Sequence, residues 1–292
     1  MGINLYSDAG TEELMSDHGR MHSPGPDVAS SLATGPADPP ATGEYFLPRV
    51  TSVRARRSAI SDKQQATWDR LWPELGRQAR DADGPAELID TREWFGRRAP
   101  VVLEIGCGTG TSTLTMAQAE PDIDVVAVEV YRRGLAQLLA AIDRTSRSDP
   151  DPATAPVTNI RLVRGDGVDV LTHMFGPGSL TGVRVFFPDP WPKARHHKRR
   201  LLQPATVALI ADRLRPGGVL HVATDHAGYA TPIAEAGDAE PRLRRVSIEF
   251  GADLRTDPER LPMSVTRPVT KYEGKAQHAG SPVAELLWER VP

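Results

Sequence analysis

Val101-Val102-Leu103-Glu104-Ile105-Gly106-Cys107-Gly108-Thr109-Gly110 is a short apolar run closed by an acid and by glycine at every second position. Apolar runs of this length, bounded by glycine, read as buried strands, and glycines just past a strand let backbone N–H groups come close to a ligand. The spacing separates two kinds of loop: a dinucleotide loop, G-x-G-x-x-G, needs its third glycine at 111, where Thr111 stands. Outward from this stretch, short apolar strands alternate with amphipathic segments. A helix is expected near 110–119, a strand at 124–130, a helix at 132–143, and a strand at 159–166 before a short helix. A strand at 183–191 and a helix at 204–214 follow, then Pro216-Gly217-Gly218 turns into a strand at 219–225. The pattern predicts an α/β fold, a doubly wound, mostly parallel, Rossmann-like sheet of about seven strands, with a late antiparallel strand at 284–291.

The 292 residues suffice for one large domain with appendages. Residues 1–45 carry seven acids against one base, Arg20, and the stretch 23–43 is rich in Pro, Gly, Ser and Ala without apolar period. Such a segment cannot bury enough surface to offset chain entropy, so it is expected to be a disordered acidic tail. Residues 46–99 read as a basic arm and helix, with Ser61 as a helix N-cap, and 100–292 as the main α/β domain. Net charge is −3 overall, but without the tail the remainder is +3. No apolar stretch is long enough to span a membrane and no secretory signal opens the chain, so no membrane partner is expected. The single cysteine, Cys107, has no internal partner, which agrees with a reducing compartment and a cytoplasmic protein.

Acids close three successive strands. Glu104 lies in the first, Glu129 ends the second, where a carboxylate can accept from ribose hydroxyls, and Asp166 ends the third. A fourth acid sits in Phe186-Phe187-Pro188-Asp189-Pro190-Trp191, where the prolines force strand into loop and leave Asp189 at the mouth of the same crevice. Five Lys/Arg follow among the eight positions 193–200: Lys193, Arg195, Lys198, Arg199 and Arg200, with His196 and His197 between them. A charge run is usually a solvated surface; attached to this corner it reads as a phosphate-binding segment. Adjacent histidines without acids or cysteines at ligand spacing make a poor metal site, and no metal is expected. Trp191 can either stack on a base or pack beside the strand end.

The E-x-G-x-G-x-G loop resembles the first motif of class I SAM-dependent methyltransferases. The stretch 186–200 resembles the signature of bacterial tRNA (guanine-N7)-methyltransferases, as do the arm 49–65, Ala223-Thr224-Asp225 and Arg267-Pro268-Val269-Thr270-Lys271-Tyr272-Glu273. The resemblance spans about 45–292. It implies SAM as methyl donor, leaving S-adenosylhomocysteine, and N7 of the variable-loop guanine at tRNA position 46 as acceptor. Cofactor contacts are implied for Glu104, Gly106, Gly108, Gly110, Glu129, Asp166 and Asp189, and the catalytic role for Asp189. It implies tRNA contacts for Lys193, Arg195, His196, His197, Lys198, Arg199, Arg200, Asp225, Thr270, Lys271, Tyr272 and Glu273. The chain departs from the family after Glu273, where Gly274-Lys275-Ala276-Gln277 follows, and the acidic tail is unusual. Monomer and homodimer both stay open. Two rivals remain: a small-molecule methyltransferase, which needs no basic run, and an RNA-binding scaffold without catalysis, which needs no intact glycine loop.

Overall fold

The computed structural model describes residues 59–147, 156–246, 261–268 and 283–292. The expected tail over 1–45, the arm up to residue 58 and the Thr270–Glu273 motif lie outside these described residues.

The strands are β1 (Gly76–Gln78), β2 (Val101–Ile105), β3 (Asp124–Glu129), β4 (Ile160–Arg164), β5 (Leu180–Phe186), β6 (Leu214–Thr224), β7 (Leu243–Arg245) and β8 (Ala284–Arg290). The helices are α1 (Asp62–Leu75), α2 (Thr91–Phe95), α3 (Thr111–Ala119), α4 (Arg132–Arg147), α5 (Gly167–Asp169), α6 (Pro204–Arg213) and α7 (Ala227–Ala239). The eight strands form one sheet in the order β1-β4-β3-β2-β5-β6-β8-β7. Pairings are parallel from β1 through β6, while β8 runs antiparallel to both β6 and β7. The chain leaves β2 toward β3 and β4 on one side and returns to β5 on the other. That reversal opens a crevice at the carboxyl ends of β2, β3 and β5, where open α/β sheets bind ligands.

Strands buried on both faces need no alternation, and β2 and β3 are buried along almost their whole length. The doubly wound α/β sheet and its late antiparallel strand are as the sequence predicts. The sheet has eight strands where about seven were expected; β1 and β7, three residues each, are the edge strands not read from the sequence, and they pair with β4 and β8. Strand β6 starts at Leu214 instead of 219: Pro216-Gly217-Gly218 is a shift in register against β5, not a turn ahead of the strand.

Ser61 caps α1 through a reciprocal box. The Gln64 N–H donates to Ser61 Oγ at 3.4 Å and the Ser61 N–H donates to Gln64 Oε1 at 3.1 Å. Helix α1 is tied to α4, whose Arg132 donates to Gln65 at 2.9 Å and lies 4.7 Å over the Trp68 ring, while Arg70 pairs with Asp143 at 2.7 Å. Helix α7 was not expected: its buried Tyr229, Ile233, Ala236 and Gly237 form a helical stripe, but small residues dominate it. A Cβ at Gly237 would stand 2.3 Å from the Trp288 ring, so close seating of α7 on β8 requires glycine there.

Candidate active site

The glycine loop leaves β2 at the crevice. Gly106, Gly108 and Gly110 have φ of 81°, 57° and 75°, a region in which a Cβ costs about 1–2 kcal/mol per residue. The loop is stitched to β3, since the Gly106 and Cys107 N–H groups both donate to the Val128 carbonyl, at 2.8 and 3.0 Å. A Cβ at Gly106 or Gly108 would meet nothing within 4 Å, so open space faces the loop where a ligand would lie. Cys107 is buried, and burial, together with the charges of Glu104 and Glu129, pushes its thiol well above the usual range.

Glu129, the last residue of β3, holds this loop. Its Oε2 accepts the Gly108 N–H at 3.0 Å and its Oε1 accepts the Tyr131 N–H at 3.0 Å. Burial raises its carboxyl above the usual range, against the pull of those donors. Asp166 caps α5, accepting the Val168 N–H at 2.8 Å just beyond β4. Glu104 lies beneath the loop, 2% exposed, in register with Arg184 of β5, itself in register with His221 of β6. Burial raises its carboxyl; the Arg184 charge opposes that. Glu104 Oε2 has no hydrogen-bond partner among the described residues. A bare carboxylate oxygen beside a glycine cradle, with acids at neighbouring strand ends, fits a nucleoside joined to a cationic amino-acid tail, the chemistry of SAM.

After Phe186 the chain turns sharply. Phe187 (φ 51°) and Trp191 (φ 43°) are the non-glycine residues with positive φ among those described, and they bracket Pro188-Asp189-Pro190. Strain of this kind concentrates at functional corners and needs surrounding contacts to persist. Asp189 is exposed at the tip. Trp191 is half-buried; Arg199 lies 5.1 Å from its ring centre and His196 meets it edge-on at 5.8 Å.

The basic run forms a 3-10 helix over Ala194–Arg199. Lys193, Arg195, His197, Lys198 and Arg199 are exposed, and His196 is half-buried. Some burial and then the four neighbouring cations hold the His196 imidazole below its usual value. Arg200 departs from the expected phosphate-binding set. It is 5% exposed, donates to the Pro190 carbonyl at 2.8 Å and lies 4.6 Å over the Tyr229 ring. Tyr229 Oη accepts the Leu202 N–H at 2.8 Å, and burial pushes its phenol up to about 12. Arg200 thus turns inward because the corner's carbonyl and ring need a donor there. Asp225, exposed, follows β6 at the same carboxyl end of the sheet. Sequence reasoning missed Arg200's inward role and Arg184's register with Glu104; a two-residue alternation along β5 is the signal that exposes the second.

A groove of about 430 Å³, lined by residues that include Gln64, Thr109, Thr111, Gln137 and Arg144, touches the outer end of the loop but none of the four acids. Among the described residues no cluster of three His, Cys, Asp or Glu is placed to hold a metal, and no helix is long and apolar enough to cross a membrane.

Residues 98–286 match the family model described as "Putative methyltransferase". The solved 16S rRNA methyltransferase KamB aligns with 73% of this chain and 99% of its own, at 16% identity and a TM-score of 0.45. A tRNA (guanine-N(7)-)-methyltransferase of Mycolicibacterium gilvum is 73% identical over 95% of this chain and 100% of its own length. One of Mycolicibacterium vanbaalenii is 70% identical over 95% and 99%. On this likeness over nearly its whole length, the chain belongs to the tRNA (guanine-N(7)-)-methyltransferase family.

Proposed function

We propose that this protein transfers the methyl group of S-adenosylmethionine to N7 of a guanine in tRNA, at position 46 of the variable loop, and does so in the cytoplasm. The observation that carries the reading is Asp189 at the tip of a strained corner, between the glycine loop's crevice and an exposed basic helix. The names of the relatives point the same way.

The bound donor supplies an electrophilic methyl on a sulfonium. Guanine N7 carries an in-plane lone pair, so no proton has to leave before attack and the protein needs no general base. Its work is alignment, which can remove several kcal/mol of barrier. Glu129 and Asp166 hold the nucleoside end, the open backbone of Gly106 and Gly108 faces the amino-acid end, and Glu104 contributes negative charge from below. Positive charge moves onto the guanine imidazole as the bond forms, and Asp189 stabilises it there. Lys193, Arg195, Lys198 and Arg199 position phosphates, with His196 and His197 at the same surface. The likeness to the family assigns guanine or tRNA contacts to Asp225 and to Thr270 through Glu273, the latter outside the described residues.

The test is incubation with radiolabelled SAM and unmodified tRNA, then borohydride and aniline cleavage, which reports 7-methylguanine. Cleavage at the variable-loop guanine is expected. Label confined to small metabolites overturns the reading in favour of a small-molecule methyltransferase, and no label at all favours a non-catalytic RNA binder.

A further inference from the structure

The corner that presents Asp189 needs an explanation, because an aromatic residue in the left-handed region is an outlier that survives only where neighbours over-determine it. The Phe187 N–H donates to the Ala223 carbonyl at 2.8 Å, which fixes one side of the peptide. The ring is covered by the Arg267 guanidinium at 5.1 Å, and the same guanidinium lies 6.0 Å from the Phe186 ring. Arg267 Nε is 3.4 Å from Glu285 Oε1. That oxygen is 2.5 Å from His221 Nε2, and the Phe186 ring meets the His221 imidazole edge-on at 4.9 Å. The contacts therefore close a ring through the end of β5, β6, β8 and the segment 261–268.

All three polar members are buried: the side chains of Arg267, Glu285 and His221 are 6%, 7% and 0% exposed. The His221 tautomer that carries its hydrogen on Nε2 donates a hydrogen bond from there to Glu285 Oε1. Burial, opposed by Glu285, holds that imidazole below its usual value. Buried charges seldom stabilise a fold more than apolar side chains of the same size would, so stability alone gives no reason for this set. Phosphate binding gives none either, since Arg267 is covered.

We propose that Arg267 is a positioning residue for methyl transfer: held by Glu285 and His221, its guanidinium clamps the Phe187 ring and so fixes the backbone that aims Asp189. The inference rests on the reading of Asp189 given above. The three side chains act in series, so breaking any link releases the same corner.

The experiment compares Arg267→Met, the near-isosteric Glu285→Gln and their double variant in the full-length protein. It measures single-turnover rates on tRNA at saturating SAM, and S-adenosylhomocysteine binding by calorimetry to count folded sites. Each single variant is expected to lose about tenfold or more in rate per folded site, because small misplacements of reacting groups are costly. Product affinity should stay within about twofold, and the double variant should be no slower than the slower single one. A full rate in folded Glu285→Gln, or losses that multiply in the double variant, overturns the clamp. Asp189→Ala separates the two ideas. Slow Asp189→Ala with normal Arg267→Met removes the clamp alone, whereas normal Asp189→Ala removes the reading on which the clamp stands.

Discussion

Gly134, in the first turn of α4, sits so close to the glycine loop that a Cβ there would stand 2.2 Å from the carbonyl oxygen of Gly108. The obstacle is backbone and cannot rotate aside. Glu129 holds the same residue, its Oε2 accepting the Gly108 N–H, and its Cγ would lie 3.2 Å from that added Cβ. Loop and helix are therefore fitted to each other at one peptide.

Gly134→Ala is accordingly expected to weaken SAM binding about tenfold or more while leaving far-UV circular dichroism unchanged. Alanine favours the helix by about 1 kcal/mol, which does not offset displacement of the loop. Calorimetry measures the affinity, and wild-type binding in the alanine variant would contradict the fitted arrangement.

Glu104 gives a pH signature. Its folded carboxyl lies above its unfolded value, so the folded state holds the proton more tightly, and stability falls as pH rises from the unfolded value through the folded one. Glu104→Gln lacks this dependence. Relative to wild type, the variant should gain stability as pH climbs through that window, and the gain should vanish below it. SAM affinity is the expected loss. Thermal melts across the acid range check the sign: a wild-type advantage that grows with pH contradicts it.

Asp189→Ala should lower single-turnover methylation of tRNA by about 100-fold or more, the usual scale for removing a group that stabilises transition-state charge. SAM binding should survive in part, because Glu129 and the glycine loop remain. Near-normal turnover would take Asp189 out of the mechanism.

The basic run should divide in two. Neutralising Arg195, Lys198 or Arg199 weakens tRNA binding and flattens its salt dependence, by about 0.7–0.9 in log–log slope for each phosphate that is no longer neutralised. Arg200→Met should instead lower the melting temperature and turnover without moving the salt slope, since it bonds Pro190 and covers Tyr229. Filter binding between low and moderate salt distinguishes them, and equal slope changes at Arg199 and Arg200 would erase the division.

What the sequence disclosed depended on how local the signal was. Ser61 announces α1 because an N-cap is a local signal, though its reciprocal box with Gln64 emerged only in the structure, and the Glu104–Gly110 loop declares itself by spacing alone. Helix α7 escaped notice because Ala, Gly and Pro232 blur its stripe, and its seating depends on a tryptophan fifty positions away. Arg200 looked like its neighbours because a run of like charges carries no mark of which member turns inward. That choice is made by Tyr229, on another helix. Glu129 was placed at the crevice, but its grip on the Gly108 N–H depends on how the loop folds back over β3.

Strand β8 lies between β6 and β7, and among the described residues β7 finds its ladder on β8 alone. The ribosome makes β7 nearly forty residues before that partner exists. During translation the far edge of the sheet thus waits with an unfilled slot, and long-range closure of this kind is slow. Nascent chains stalled in that interval are the species for a chaperone to shelter, which pulse proteolysis of arrested chains would register as late-acquired resistance.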